Sequence, residues 1–181
     1  IPVEPFHSGR ALKFSHQGQF QPLQYLHGLA NAIHRDHGKI FVRTKIADVD
    51  TSSPIRLTTD SGHTITANHL VVATNSPITN VVALHTKQAP YVTYTLGIEV
   101  PRGSIPTALY WDTESPYHYV RLTSLNDELD LLVVGGEDHK SGEMKAYSQP
   151  HQKLERWARQ VFPSCLNVRF RWSGMVNEST D

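Results

Sequence analysis

The sequence predicts an α+β fold in which a mostly antiparallel sheet is covered by a few helices. Two stretches show the apolar spacing of three and four residues that is typical of a helix. Most other apolar runs are short, rich in β-branched and aromatic residues, and follow one another without helices between them, which favours an antiparallel sheet. The chain has 181 residues, enough for a sizeable core.

The first helix is predicted to begin at Pro22 and to end before Gly38. Pro22 fits the first turn, where its missing N–H costs nothing, and glycine is a common residue just after a helix. The apolar residues of this helix lie on one face: Leu23, Leu26, Ala30 and Ile33. A second helix is predicted over 152–162, and Pro163 ends it.

Strands are predicted at ten places, with a turn at Asp60–Gly62 and with Gly135 and Gly136 ending one of them. The run 69–74 has an unbroken apolar centre, which is typical of a strand buried on both faces. The predicted strands are 11–14, 39–44, 46–57 in two pieces, 63–66, 69–74, 91–100, 108–111, 118–122, 129–134 and 167–172, counting the pieces of 46–57 as one place.

The charge pattern excludes several classes of protein. Lys+Arg and Asp+Glu both number 17, and no basic patch suggests a nucleic acid partner. No apolar run approaches the ~18 residues of a membrane span. The single Cys165 fits a reducing compartment, so we expect a cytoplasmic protein. The eleven histidines lack the spacing of a metal site, so no bound metal is predicted.

Several motifs occur in a specific order along nearly the whole chain. They are FQPLQYLHGL (20–29), ANHLVVAT (67–74), YWDTESPYHYVRL (110–122), LLVVGGEDHK (131–140), LERWA (154–158) and RWSG (171–174). This series resembles the glycine/D-amino-acid oxidase (DAO) family of FAD-dependent oxidoreductases. The resemblance is to the subgroup that often carries a C-terminal Rieske iron–sulfur domain.

The resemblance implies a division of the chain and a missing part. Residues 1–20 match a strand segment of the substrate domain, 21–80 part of a Rossmann-like FAD-binding domain, and 81–181 the substrate-binding domain. The G-x-G-x-x-G turn that holds the FAD pyrophosphate in the family does not occur in this sequence. We therefore expect an internal fragment whose partners include the missing FAD-domain segments and, as the resemblance to the Rieske-bearing subgroup implies, a Rieske domain of the same chain.

The resemblance also implies residues near the cofactor. The backbone at Ile46 matches the position that meets the adenine side of FAD. Ala73, Thr74 and Asn75 match the segment that passes near the dinucleotide, with Asn75 in place of the usual glycine. A strand-core role for Ile46 is compatible with this hypothesis.

Three residues match the region that faces the flavin ring and the substrate in the family. Arg121 would pair with a substrate carboxylate, Tyr119 would orient it, and His139 would take or relay a proton. Each also has an ordinary interpretation: a surface ion pair for Arg121, aromatic packing for Tyr119, and a solvated turn for His139.

The resemblance implies a parent enzyme that oxidises a CH–NH bond of a small amine or amino acid with hydride transfer to FAD. The alternative is a non-catalytic substrate-binding or interface module that does not bind FAD by itself. We expect this chain alone to be inactive and to lack bound FAD, because the residues that grip the pyrophosphate are missing.

Overall fold

The computed structural model describes residues 11–75, 88–142 and 148–179. These residues fall into two compact units, one within Gly18–His85 and the other made of the remainder. The division predicted from the sequence, into 1–20, 21–80 and 81–181, stays a prediction. The assignment of the two units to cofactor and to substrate remains a prediction.

The first unit contains one helix and a three-stranded antiparallel sheet of order β1-β2-β3. Its elements are α1 (Pro22–Arg35), β1 (Ile46–Asp50), β2 (Ile55–Thr59) and β3 (Thr64–Ala67). The Gln21 side chain accepts a hydrogen bond from the Leu23 N–H at 2.8 Å and so caps the start of α1. At the other end His37 adopts φ 62° and the Gly38 N–H donates to the Ile33 carbonyl at 2.8 Å. This closing turn explains the predicted stop at Gly38.

The apolar face of α1 is exposed to solvent among the described residues. No residue of α1 is buried. Leu23 is 72% exposed, Leu26 56% and Ile33 43%. Apolar side chains normally leave water when a helix packs, so this helix has no large packing partner among the described residues.

Three predicted strands do not form. Residues 11–14, 39–44 and 69–74 are in no ladder, and Val71, at the centre of the predicted buried strand, is 86% exposed. A strand needs neighbours for its N–H and C=O groups, and no described strand pairs with these segments. Their apolar pattern is real, but the prediction of strand structure is wrong for the described chain.

The second unit is built on a five-stranded antiparallel sheet of order β5-β6-β7-β4-β8, covered by one helix. Its elements are β4 (Gln88–Pro101), β5 (Leu109–Trp111), β6 (His118–Ser124), β7 (Leu129–Lys140), α2 (Ser148–Val161) and β8 (Val168–Ser179). The long central strand β4 pairs with β7 on one side and β8 on the other. The predicted α+β class with a mostly antiparallel sheet is confirmed.

The hydrophobic core lies between α2 and one face of this sheet. The buried residues of α2 and of the turn after it are Leu154, Ala158 and Phe162. Across from them the sheet contributes Tyr94, Leu96, Ile98, Val100, Val120, Leu122, Leu132 and Val134. These positions alternate along each strand, which is the pattern of a sheet buried on one side.

A β-bulge interrupts the alternation in β7. Tyr94 of β4 pairs with Gly136, but Val92, two residues away, pairs with His139, three residues away. Glu137 adopts φ 56° at this point. The strand therefore continues to Lys140, but after the bulge each side chain points to the opposite face from the one that regular alternation would give it. The prediction that Gly135 and Gly136 end the strand is wrong, because the backbone kinks there without leaving the sheet.

Truncating Leu154 should reveal how much α2 contributes to stability. Leu154 is fully buried against the sheet, so Leu154→Ala should lower the free energy of unfolding by about 2–5 kcal/mol. The measurement is urea denaturation followed by circular dichroism. Leu166→Ala, at a residue that is 44% exposed, is the matched control and should cost far less. Equal losses for both variants would contradict the described core.

Cys165 should be slow to alkylate while the chain is folded. Burial raises the pKa of its thiol to about 11. At pH 8 this leaves on the order of a hundredfold less thiolate than an ordinary cysteine has. As the chain has one cysteine, the iodoacetamide adduct measured by mass spectrometry reports this site alone. Alkylation should become faster in about 6 M urea, because unfolding of the chain exposes the thiol. Equal rates with and without urea would contradict the prediction.

Candidate functional site

The face of the five-stranded sheet opposite α2 carries two of the three residues predicted to meet the substrate, Tyr119 and Arg121, and we call it the open face. Strand register places on it Thr93, Thr95 and Gly97 of β4, Tyr119 and Arg121 of β6, Val133 and Gly135 of β7, and Phe170 and Trp172 of β8. Trp111 and Leu109 of β5 pair with Tyr119 and Arg121 and lie on the same face. The face is therefore an aromatic and apolar surface with a polar centre.

Tyr119 is held at the centre of the open face. Its hydroxyl lies 3.2 Å from the Thr93 hydroxyl and 3.5 Å from that of Thr95. Its ring lies flat on Gly135, where an added Cβ would come within 2.0 Å of the ring. The glycine is needed because any side chain there would push the ring away from the sheet. Tyr119 is therefore fixed in one position.

Arg121 lies two residues further along β6 on the same face, opposite Val133 and Leu109. It is half-buried. Within 11–75, 88–142 and 148–179 no hydrogen bond or ion pair to its guanidinium is found. A half-buried arginine whose five donors lack protein partners is suited to bind an anion. The surface ion pair that is the ordinary interpretation of Arg121 does not form among these residues.

His139 lies on the other face of the sheet. The bulge in β7 pairs it with Val92, and its ring stacks on Tyr94 with centroids 5.5 Å apart. Tyr94 belongs to the core, and it also meets His151 of α2 edge-on at 4.9 Å. The structure thus brings Tyr119 and Arg121 together and separates His139 from them, because one extra strand residue reverses the side to which His139 points.

His118 is not among the residues predicted from the sequence, yet it is the centre of a buried polar network. Its Nδ1 lies 2.8 Å from Asp112 Oδ2, and Asp112 Oδ1 accepts a hydrogen bond from the His118 backbone N–H at 2.7 Å. Its ring stacks on Trp157 of α2 at 4.1 Å. The sequence signal is weak, because Asp112 and His118 are six residues apart on either side of a turn.

This network connects the sheet to α2 through the bulge. His118 Nε2 lies 3.8 Å from Glu137 Oε1, and Glu137 Oε2 lies 3.6 Å from Lys153 Nζ on α2. An imidazole oriented by a carboxylate is a common arrangement in proton transfer. Here, however, its second nitrogen points to Glu137 and not to the open face. The network therefore stabilises the position of the bulge.

The four predicted cofactor residues lie in the first unit. Ile46 begins β1, is half-buried and pairs with Thr59. Ala73, Thr74 and Asn75 are exposed and belong to no strand. The structure does not bring Ile46 into a shared ladder with residues 73–75.

The fit of FAD to these residues is partial. Asn75 adopts φ 61°, the left-handed conformation that glycine favours, and so the backbone at this position has the form of a glycine turn. The sequence offers no G-x-G-x-x-G turn at the start of a helix, which is the usual site for a dinucleotide pyrophosphate. The left-handed turn at Asn75 is compatible with the position that glycine holds in the family, and contact of residues 73–75 with FAD stays a prediction.

Two further features can be stated for the part of the chain that the structure describes. No group of three or more His, Cys, Asp or Glu side chains there has the arrangement of a metal site. Neither of the two helices in it has the length and apolar character needed to cross a membrane.

A curated relative and two solved structures resemble the chain. YhfW of Bacillus subtilis (strain 168), which is named as a Rieske 2Fe-2S iron-sulfur protein, is 28% identical over 174 residues. The match covers 96% of this chain and 33% of YhfW. The chain thus spans about a third of the length of the curated relative that it matches.

The solved structures share the fold at low sequence identity. The peptidyl tryptophan dihydroxylase QhpG matches 86% of this chain, and 36% of its own chain, with a TM-score of 0.53 and 11% identity. The Diels-Alderase PyrE3 matches 87% of this chain, and 36% of its own, with a TM-score of 0.52 and 11% identity. At this identity the similarity shows the fold alone.

The family comparison covers the chain almost from end to end. The family model described as FAD dependent oxidoreductase (DAO) matches residues 2–181. This extent includes both compact units, the open face and the predicted cofactor segment. The chain therefore belongs to the DAO family of FAD-dependent oxidoreductases.

Proposed function

We propose that this chain is the substrate-bearing part of a flavin-dependent oxidoreductase that acts on a small amine or amino acid. In the proposed reaction a hydride leaves the carbon beside the nitrogen and passes to FAD in the complete enzyme. Membership of the family supports the flavin, and the open face supports the substrate. The part of the residues of this chain in the proposed reaction is to bind and orient the substrate.

The observation that carries this proposal is the guanidinium of Arg121 on the open face. It is half-buried and has no partner among the described residues, so a substrate carboxylate would supply the missing acceptor. Tyr119 lies beside it on the same strand, with its hydroxyl held by Thr93 and Thr95. Because Tyr119 is already fixed, little side-chain freedom would be lost when a substrate binds.

His139 is not part of the proposed substrate contacts. It stacks on Tyr94 on the α2 side of the sheet, where a substrate on the open face would not reach it. A direct role in proton transfer therefore needs another residue. The role that the described contacts favour for His139 is packing behind the open face.

We further propose that electrons leave the flavin through an iron–sulfur partner. This rests on the similarity to YhfW, whose name describes a Rieske protein. A Rieske cluster needs two cysteines and two histidines, and this chain has one cysteine. The cluster would therefore be held by another part of the parent or by another protein. A cytoplasmic location is part of the same proposal.

Replacing Arg121 should remove the preference for a carboxylate. Wild-type chain should bind N-methylglycine more tightly than N-methylglycinamide, which lacks the negative charge. Arg121→Gln should abolish this difference, at a cost of about tenfold or more in affinity for N-methylglycine. Isothermal titration calorimetry measures both ligands.

Arg169→Gln is the matched control for this experiment. Arg169 pairs with Glu99 at 3.0 Å, and its loss should leave the preference for N-methylglycine unchanged. Equal affinity of the wild-type chain for both ligands would contradict the proposal.

This chain by itself should not bind FAD, as expected for the alternative of a binding module without cofactor. The specific observation is the missing glycine-rich turn for the pyrophosphate. Titrating the chain into FAD should leave flavin fluorescence and its absorbance near ~450 nm unchanged, because the sequence offers no G-x-G-x-x-G turn into a helix N-terminus to hold the phosphates. A purified chain that is yellow would contradict this prediction.

A further inference from the structure

The bulge in β7 turns Asp138 toward the open face. Glu137 contacts His118 and Lys153 on the α2 side, and His139 stacks on Tyr94 on that same side. Asp138, between them, points the opposite way. Its carboxylate acts electrostatically on the Tyr117 hydroxyl and helps to raise its pKa, and the Tyr117 ring is 6.1 Å from that of Tyr119.

Asp138 has an acceptor that the protein does not use. Its Oδ1 is buried and has no hydrogen-bond partner among the described residues. Lys140, two residues further along β7, forms no ion pair with it in the described chain. A buried carboxylate oxygen without a donor is unfavourable, so this oxygen is suited to receive one from a ligand.

The surroundings of Asp138 favour a positive charge. The Tyr117 ring is 44% exposed, and the face of an aromatic ring attracts a cation. Burial raises the pKa of the Tyr117 hydroxyl above its usual value, and the negative charges of Asp138 and Glu178 raise it further. An ammonium group placed here would meet a carboxylate and an aromatic ring.

We propose that Asp138 and Tyr117 bind a cationic group of the substrate, at the end of the open face away from Arg121. The inference rests on the proposed function and adds a second determinant of specificity to it. Substrates that carry an ammonium group far from their carboxylate would be preferred over those that carry a carboxylate alone.

The spacing of the two charged residues sets the length of such a ligand. Arg121 pairs with Val133, and Asp138 lies five residues further along β7. At about 3.3 Å per residue this is at most about 16 Å of strand, and the bulge shortens it. Together with the reach of an arginine side chain, a ligand with charges on the order of 10 Å apart can bridge this distance. A carboxylate and an ammonium joined by several methylene groups would fit.

Three simple probes separate the two ends of the site. They are 8-aminooctanoate with both charges, octanoate with the carboxylate alone and octylamine with the ammonium alone. By isothermal titration calorimetry on the 181-residue chain, 8-aminooctanoate should bind more tightly than octanoate. Asp138→Asn should weaken binding of 8-aminooctanoate and of octylamine by about tenfold and leave octanoate unchanged.

The control variant is Asp127→Asn, which removes the same charge from a fully exposed side chain near the other end of β7. It should change none of the three affinities. Unfolding midpoints of both variants show that the fold is intact. Equal binding of octylamine by the wild-type chain and Asp138→Asn would overturn the proposal, and so would a lack of saturable binding by all three probes.

The two proposals fail in different ways. If the carboxylate site of the proposed function is wrong, Arg121→Gln leaves octanoate binding unchanged, while octylamine still depends on Asp138. If the cation site is wrong, Arg121→Gln weakens the binding of octanoate, while Asp138→Asn leaves the binding of octylamine unchanged. If the double variant Arg121→Gln, Asp138→Asn binds 8-aminooctanoate more weakly than either single variant does, the result supports one ligand bound at both ends.

Discussion

The packing of α2 on one face of the five-stranded sheet is the constraint on which the rest of the second unit depends. Leu154, Ala158 and Phe162 cover that face, and so β4, β6 and β7 each have one side in the core and one side free of it. Alternation then decides the surroundings of each residue: on β6, His118 is buried against Trp157 while Tyr119 lies on the open face. Neighbouring residues in sequence thus belong to separate chemical environments.

The bulge in β7 is the point at which this rule changes. It joins the two faces physically, because the carboxylate of Glu137 is held by His118 and Lys153 on one side while Asp138 reaches the other. Gly136 has φ 148°, and a Cβ there would come within 2.5 Å of the Tyr117 carbonyl oxygen. The kink therefore depends on residues that tolerate unusual backbone conformations and close contacts.

Periodicity predicted the helices and most strands of the sheet, because burial on one side leaves a clear trace in sequence. It failed for residues 39–44 and 69–74, since apolar content does not show whether a partner strand is present. The grouping of Tyr119, Arg121 and His139 came from the resemblance to the family and not from periodicity. The sequence does not reveal that His139 lies on the other face, because the bulge depends on backbone geometry around Glu137, and two adjacent glycines are equally typical of a strand end.

The contact between Tyr119 and Gly135 has a consequence for how this sequence can vary. A Cβ at residue 135 would overlap the ring by a distance that no small shift relieves. A larger residue there is compatible with the fold only if residue 119 becomes small at the same time, which would also release the hydroxyls of Thr93 and Thr95. In homologous chains the two positions should therefore change together or not at all, as a single inherited unit.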